Sequence, residues 1–219
     1  MLYLVDNNGT YGLTKGQFSA TNDKGSTSKK GVPNLYEPID LVSLALQLGA
    51  SFVARSFSGD KGQLVPLIKA ALKHKGMAFI DVISPCVAFN NHAGSTKSFE
   101  FVREHMHSAV HADLILGQPE IIADYASGTE EKVTMPDGSI LRLYKVDADY
   151  DPYDRVGALT YVQKMHGEGQ VATGLLYVDP DAVECHDIMG TTSQPLNELA
   201  EDILCPGSEV LRAINQGYR

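Results

Sequence analysis

Short apolar runs alternate with helical patterns over the first 83 residues, and this alternation constrains the fold more than any other feature of the sequence. The apolar runs at residues 1–6, 51–56 and 77–83 predict strands, and we expect the first of them to be buried. Residues 38–49 and 60–76 carry leucine-rich helical patterns, opened by Pro38 and Asp60. Strands that alternate with helices pair in parallel. We therefore predict an α/β fold with a largely parallel sheet and helices on both faces.

The pattern changes after residue 98. Helices are predicted at residues 99–106, 153–167 and 196–204, a strand at 170–178, and a hairpin at 132–146 with its turn at 136–139. From about residue 110 onward, the sequence thus predicts a mixed α/β extension of the main sheet.

Charge and composition exclude some functions. The net charge of −9 and the pI near 5.2 argue against nucleic-acid binding, which needs a basic surface. No stretch approaches the roughly 18 consecutive apolar residues of a membrane span. The cysteines Cys86, Cys185 and Cys205 form no CxxC pair, and such a sparse, odd set fits a reducing compartment. We expect a soluble, cytoplasmic protein without membrane contacts.

A polar loop rich in glycine, residues 6–17, follows the first predicted strand directly. In open α/β sheets, ligands bind beyond the carboxyl ends of the strands. The side-chain oxygen of Asn8 and the backbone carbonyl of Thr10 are hard oxygen donors, which suit Mg²⁺. The alternative, judged on spacing alone, is an ordinary Asn-Gly turn after a strand.

Several motifs in the chain resemble one enzyme family. Asn7-Asn8, followed by Tyr11-Gly12-Leu13-Thr14-Lys15-Gly16-Gln17, resembles the second half of the thiamine diphosphate motif of 2-oxoacid:ferredoxin oxidoreductases. The likeness is closest to the β subunit of the 2-oxoglutarate enzymes. It continues through residues 57–64, 80–98, 147–155, 173–179 and 204–208. The resemblance implies a thiamine diphosphate-binding fold, with residues 1–110 as the carboxy-terminal half of that domain and 111–219 as the mixed α/β extension.

The resemblance also implies roles for individual residues in the first loop. The cofactor-binding residues would be Asn8, Thr10, Tyr11, Gly12, Leu13 and Thr14. Asn8 and Thr10 would hold Mg²⁺, which links the diphosphate to the sheet. Lys15 would offer a positive charge to a dicarboxylate substrate such as 2-oxoglutarate. The alternative, from the residues alone, is a solvated loop lysine.

A single cysteine follows the third predicted strand, in Ser84-Pro85-Cys86. In the family that the chain resembles, this cysteine is implied to be the fourth thiolate of a [4Fe–4S] cluster. Taken without the resemblance, a lone cysteine is a small buried residue more often than a ligand. The two loops, after the first and third strands, are expected to be neighbours because both strands end at the same edge of the sheet.

Two features of the family motif are missing from this sequence. The aspartate of its Gly-Asp-Gly segment and the three other cluster cysteines lie upstream of the Asn pair in the family. We therefore expect this chain to be a fragment of a subunit or a truncated gene product. Because Mg²⁺ gives up its waters reluctantly, the chain by itself should bind the cofactor weakly and turn over no substrate.

The function implied by the resemblance is the oxidative decarboxylation of 2-oxoglutarate to succinyl-CoA. Its cofactors would be thiamine diphosphate, Mg²⁺ and the [4Fe–4S] cluster. Its partners would be an α subunit, ferredoxin and coenzyme A. The alternatives are the same chemistry on pyruvate or another 2-oxoacid, and a non-catalytic subunit that only binds partners.

Overall fold

Nine strands are present in this computed structural model of the protein. They are β1 (Leu2–Asn7), β2 (Thr10–Tyr11), β3 (Gln17–Phe18), β4 (Phe52–Phe57), β5 (Ala78–Ile83), β6 (Met106–Leu116), β7 (Glu130–Thr134), β8 (Ser139–Lys145) and β9 (Val171–Val178), counted over the described residues. Seven of them form one sheet in the order β1-β5-β4-β9-β6-β8-β7, and β2 and β3 form a small separate hairpin.

The structure describes most of the chain. The described residues are 1–28, 31–116, 130–134, 139–145, 150–191, 194–205 and 207–218, with the backbone alone at 111–116, 130–134 and 139–145. The chain divides into two compact units, Met1–Ala182 and Val183–Arg219. The domain boundary expected between residues 110 and 111 stays a prediction.

The predicted parallel pairing is confirmed for β1, β4 and β5. β1 and β4 both pair with β5 in parallel, so their carboxyl ends meet at one edge of the sheet. β9 joins β4 antiparallel, β6 runs parallel to β9, and β8 and β7 complete the sheet as an antiparallel hairpin. The predicted hairpin is thus present, while its turn lies outside the described residues except for Ser139.

The first unit contains four described helices, α1 (Leu41–Gln47), α2 (Lys61–Lys73), α3 (Phe99–His105) and α4 (Arg155–Gly167). The prediction that Pro38 opens the first helix is wrong. The side chain of Asp40 accepts a hydrogen bond from the backbone of Val42 and caps the helix, which begins at Leu41. Asp60 caps α2 in the same way through the backbone N–H of Gln63, as predicted.

The second unit contains short helices. They are α5 (Cys185–Met189), a 3₁₀ turn (Leu196–Glu198), α6 (Glu201–Leu204) and α7 (Ser208–Gly217). The single helix predicted over residues 196–204 is wrong, because Leu199 and Ala200 have extended backbone that separates the 3₁₀ turn from α6. Among the described helices of the whole chain, none has the length and apolar character needed to cross a membrane.

Two adjacent residues of β4 show that helices cover both faces of the sheet. Successive side chains of a strand point to opposite faces. Arg55 forms an ion pair with Asp40 at the start of α1, whereas the hydroxyl of Ser56 donates to Gln63 in α2 at 2.9 Å. α1 and α2 therefore lie on opposite faces, and the predicted layered α/β arrangement is confirmed.

The core lies between the sheet and these helices. Val42 and Leu46 of α1 and Leu67 of α2 pack against central strand residues such as Val53 and Ile80, each 0–1% exposed. Full burial of such a side chain stabilises the fold by about 1.5–3 kcal/mol. The prediction of a buried first strand is wrong. Among the described strands, β1 lies at an edge and pairs with β5 alone, and its Tyr3 and Leu4 are 57% and 44% exposed.

Candidate functional site

Two loops meet at the edge where β1 and β5 end. Asn7 at the end of β1 lies opposite Ile83 at the end of β5, so the loops that follow start side by side. The side-chain amide of Asn90, in the second loop, donates a hydrogen bond to the backbone carbonyl of Asn8, in the first, at 2.8 Å. The predicted proximity of the two loops is thereby confirmed.

The turn at Asn8 brings two oxygen atoms to the end of the strand. The side-chain oxygen of Asn8 accepts a hydrogen bond from the backbone N–H of Thr10 at 3.0 Å, and Gly9 between them has φ of +70°. The backbone of Ser19 donates to the carbonyl of Gly9 at 3.2 Å. Because bonded pairs alternate in an antiparallel hairpin, the carbonyl of Thr10 faces away from β3. The Asn8 amide oxygen retains a second lone pair, so both oxygens suit a cation.

Two buried asparagines, which the sequence did not single out, hold this turn from either side. Asn90 donates to the carbonyl of Asn8, and Asn22 donates to the next carbonyl, that of Gly9, also at 2.8 Å. Asn90 is 1% and Asn22 is 3% exposed. The side-chain oxygens of both asparagines are buried without a hydrogen-bond partner in the described part of the chain. In the sequence, the Asn-Asn pair at residues 90 and 91 was the feature that could have pointed to one of these two residues.

A buried ion network lies directly beneath the first loop. Asp81 of β5 is 1% exposed and accepts from Arg55 at 2.9 Å and from the side-chain amide of Asn7 at 3.0 Å. Arg55 also pairs with Asp40. Burial by itself raises the pKa of the Asp40 carboxyl, but the Arg55 charge together with hydrogen bonds to the carboxylate outweighs burial and leaves the pKa below its usual value.

A cleft of about 560 Å³ opens above this network, between α1, α4 and the carboxyl edge of the parallel strands. Asn7, Arg55 and Asp81 line its polar side, and Leu44 and Val162 contribute apolar surface. The predicted residues from Asn8 to Lys15 are not among the residues that line this cleft. The loop that they form is thus a separate surface next to the cleft.

The remaining predicted cofactor residues extend from the turn toward the surface. Gly12 is half-buried, Thr14 is exposed, and Tyr11 and Leu13 are 60% and 98% exposed. Lys15 is exposed and has φ of +72°, in a tight turn where its backbone N–H donates to the carbonyl of Gly12 at 3.1 Å. The tip of the loop therefore exposes the charged side chain of Lys15 and the apolar side chain of Leu13.

Cys86 lies beside the same loop. It is a free, half-buried cysteine, and a Cβ built on Gly12 would lie 3.9 Å from its sulfur. A [4Fe–4S] cluster needs four protein ligands. Within the described residues, no group of three His, Cys, Asp or Glu side chains is placed to hold a metal ion. The described part of the chain therefore does not complete such a set of ligands, and the role of Cys86 as one of them stays a prediction.

Comparison with known sequences identifies the domain and its relatives. Residues 1–82 match the family described as "Thiamine pyrophosphate enzyme, C-terminal TPP binding domain". A 2-oxoacid:ferredoxin oxidoreductase subunit beta from Sulfolobus is 44% identical over 92 residues, which cover 42% of this chain and 30% of the relative. The 2-oxoglutarate oxidoreductase subunit KorB of Mycobacterium tuberculosis is 34% identical over 114 residues, which cover 52% of this chain and 31% of the relative. The matched segments thus span about a third of these relatives.

A solved structure supports the fold over a longer range. The 2-oxoglutarate:ferredoxin oxidoreductase from Magnetococcus marinus, with 2-oxoglutarate, coenzyme A and succinyl-CoA bound, superposes with a TM-score of 0.59 at 22% identity, over 90% of this chain and 55% of that chain. At this identity the likeness establishes the thiamine diphosphate-binding fold and not the ligands. The resemblance that the motifs carry is confirmed: over part of its length, the chain is similar to the β subunits of 2-oxoacid:ferredoxin oxidoreductases.

Proposed function

We propose that this chain supplies the thiamine diphosphate-binding part of the β subunit of a 2-oxoacid:ferredoxin oxidoreductase. The observation that carries the proposal is the turn at the end of β1, where the side-chain oxygen of Asn8 accepts from the backbone N–H of Thr10 at 3.0 Å and the Thr10 carbonyl faces away from β3. The match of residues 1–82 to a thiamine pyrophosphate-binding domain supports the same assignment.

Asn8 and Thr10 would hold the Mg²⁺ that neutralises the diphosphate, and Tyr11, Gly12, Leu13 and Thr14 would line the cofactor beside it. Oxygen donors are the ligands that Mg²⁺ prefers. When bound, thiamine diphosphate supplies the nucleophilic carbon that makes loss of CO₂ from a 2-oxoacid accessible. The contribution of this chain is to fix the diphosphate end of the cofactor at the carboxyl edge of the parallel strands.

The proposed reaction is the oxidative decarboxylation of 2-oxoglutarate to succinyl-CoA, with electrons passed to ferredoxin. Lys15, exposed at the tip of the loop, would pair with the distal carboxylate of the substrate. Pyruvate or another 2-oxoacid is the alternative substrate, and a non-catalytic subunit that binds only partners is the alternative function.

The proposed partners are an α subunit of the same enzyme and ferredoxin. Leu13 at 98% exposure and Tyr11 at 60% are apolar groups at the tip of the cofactor loop, where a partner subunit would cover them. Cys86 would supply one thiolate to a [4Fe–4S] cluster, and the remaining ligands must come from elsewhere. Free cysteines fit a reducing compartment, and we place the protein in the cytoplasm.

Calorimetric titration of the native protein with thiamine diphosphate, with and without Mg²⁺, tests this function. We expect Mg²⁺-dependent binding that Asn8→Ala weakens by at least about tenfold, the lower end of the range for loss of a contact to a charged group. Asn215→Ala, an exposed asparagine in α7, is the matched control and should bind as the wild type does. Binding that does not depend on Mg²⁺, or on Asn8, would contradict the assignment.

A second measurement separates the substrates. The native enzyme, purified with its partner subunits, should reduce ferredoxin with 2-oxoglutarate at a higher kcat/KM than with pyruvate. The reverse order would favour the pyruvate alternative. Cofactor binding without turnover of any 2-oxoacid would favour the non-catalytic subunit.

A further inference from the structure

We propose that Asn22 and Asn90 are positioning residues that clamp the Asn8–Gly9 backbone, so that the Asn8 side-chain oxygen and the Thr10 carbonyl face the same cation. The inference rests on the proposed cofactor site and assigns the clamp a role in setting the affinity of that site for Mg²⁺. Neither asparagine contacts the cation directly.

The clamp acts on consecutive peptide groups. Asn90 donates to the carbonyl of Asn8 and Asn22 to the carbonyl of Gly9, each at 2.8 Å. The next carbonyl in the chain is that of Thr10, the proposed ligand. Because fixing two successive carbonyls fixes the peptide planes that precede Thr10, the two side chains hold that residue in place, and its pairing with Phe18 in the hairpin then directs its carbonyl away from β3.

The turn needs such support because its central residue is a glycine. Gly9 has φ of +70°, and glycine populates several backbone regions with similar ease. A Cβ built on Gly9 would lie 2.8 Å from the Asn90 amide nitrogen and 2.9 Å from Cδ of Lys97. The backbone therefore approaches Asn90 as closely as it does only because no side chain stands between them.

Each asparagine is itself held by a separate loop. The backbone of Asn90 donates to the carbonyl of Cys86 at 2.8 Å, and the carbonyl of Asn22 accepts from the side chain of Asn34 at 3.0 Å. A buried ion pair between Lys97 and Asp23, at 3.2 Å, joins the two loops. The clamp therefore also ties the backbone of Cys86 to the proposed metal turn.

In Asn22 and Asn90, the amide nitrogen forms the hydrogen bond, whereas the buried amide oxygen has no partner among the described residues. An acceptor left unpaired in the interior costs about 1–3 kcal/mol. In the described residues, Asn22 and Asn90 carry such acceptors while their amide nitrogens are engaged. Both positions retain an amide for its donor in spite of this cost, which favours a role in orientation over one in stability.

The test compares Asn90→Asp and Asn22→Asp with Asn91→Asp in the native protein purified with its partner subunits. An aspartate keeps the shape of asparagine but removes the N–H donor. Asn91 is exposed and uses its side-chain oxygen to accept from the backbone of Phe99 at 3.0 Å, so an aspartate preserves that bond. Calorimetry would give the Mg²⁺ concentration for half-saturation in the presence of thiamine diphosphate.

We expect both clamp variants to need about 10–100-fold more Mg²⁺, the range found when groups that orient metal ligands are removed. Their kcat at saturating Mg²⁺ should stay within about threefold of the wild type, because the metal ligands themselves are intact. Asn91→Asp should titrate as the wild type. In the protein without cofactor, hydrogen exchange at the Thr10 amide should be faster in the clamp variants alone.

The outcomes separate this inference from the proposed function. If the wild type binds thiamine diphosphate with Mg²⁺ and the clamp variants titrate identically, the clamp is wrong and the function stands. A loss of active protein without a change in the Mg²⁺ requirement would show a structural role and would also overturn the clamp. A wild type that needs no Mg²⁺ would overturn both. Should Asn90→Asp fail to fold, Asn22→Asp decides between these outcomes.

Discussion

The guanidinium Nε of Arg55 donates to a carboxylate oxygen of Asp81 at 2.9 Å, across the paired central strands β4 and β5. The other oxygen of Asp81 accepts from the side-chain amide of Asn7 at 3.0 Å. Asn7 immediately precedes the turn at residues 8–10, the proposed Mg²⁺ site. The buried charge pair therefore anchors the last residue of β1 and, through it, the start of the cofactor loop.

Removing Arg55 should destabilise the fold strongly. Arg55→Met would leave the carboxylate of Asp81, 1% exposed, without a counter-charge, which costs about 3–5 kcal/mol. Urea unfolding measures the loss. The double variant Arg55→Met/Asp81→Leu removes both charges and should recover part of it, since paired replacement by apolar groups is often close to neutral. A double variant less stable than Arg55→Met alone would show that the Asn7 contact dominates.

Gly9→Ala should cost more stability than a matched change at Gly25. Both glycines have positive φ, +70° and +82°, so alanine is strained by about 1–2 kcal/mol at either position. Alanine at Gly9 also meets Asn90 and Lys97, whereas a Cβ at Gly25 meets nothing within 4 Å. We expect Gly9→Ala to lose at least about 1 kcal/mol more than Gly25→Ala in urea unfolding. Equal losses would mean that the clamp side chains move aside freely.

Stability should fall between pH 6.5 and pH 4 because of His74. Burial lowers the pKa of His74 from 6.5 to about 4, and its Nε2 lies 2.8 Å from the hydroxyl of Ser51. Over this range the unfolded chain binds a proton that the folded chain does not, so the stability present above pH 6.5 is lost as pH falls. Since His74 is only half-buried, we expect about 1–2 kcal/mol.

Two histidine variants test whether His74 causes this pH dependence. His74→Gln should flatten the pH dependence of unfolding between pH 6.5 and 4, whereas His92→Gln, at an exposed position, should leave it as in the wild type. Chemical denaturation at several pH values gives both curves. An unchanged slope in His74→Gln would assign the acid sensitivity to other groups.

Lys15→Gln should raise the KM for 2-oxoglutarate without affecting pyruvate. A charge-assisted bond to the distal carboxylate is worth about 1.5–3 kcal/mol, which corresponds to roughly tenfold or more in KM. Because Lys15 is exposed, the substitution should not change the stability of the protein. Lys24→Gln removes another exposed lysine, which pairs with Glu37 at the surface, and is the matched control. A parallel rise in KM for both substrates would remove Lys15 from substrate selection.

The alternation of apolar runs and helical patterns determined much of the first half of the fold. The sequence predicted β1, β4 and β5, their parallel pairing and the Asp60 cap of α2, because periodicity and capping are local properties. It also placed the polar loops after β1 and β5 side by side. The long strand β6 was missed, since histidine, serine and aspartate interrupt its apolar pattern in the sequence.

Which strand lies at an edge of the sheet, and which side chains converge on the first loop, could be seen only in the folded protein. β1 has the sequence of a buried strand, and its exposure depends on strand order, which local periodicity does not encode. Asn90 reaches Asn8 across 82 positions, while Asn91 beside it turns to the start of α3. The motif in the sequence predicted the chemistry of the loop. The tertiary structure shows which asparagines hold it, because their hydrogen bonds join loops that are distant in the chain.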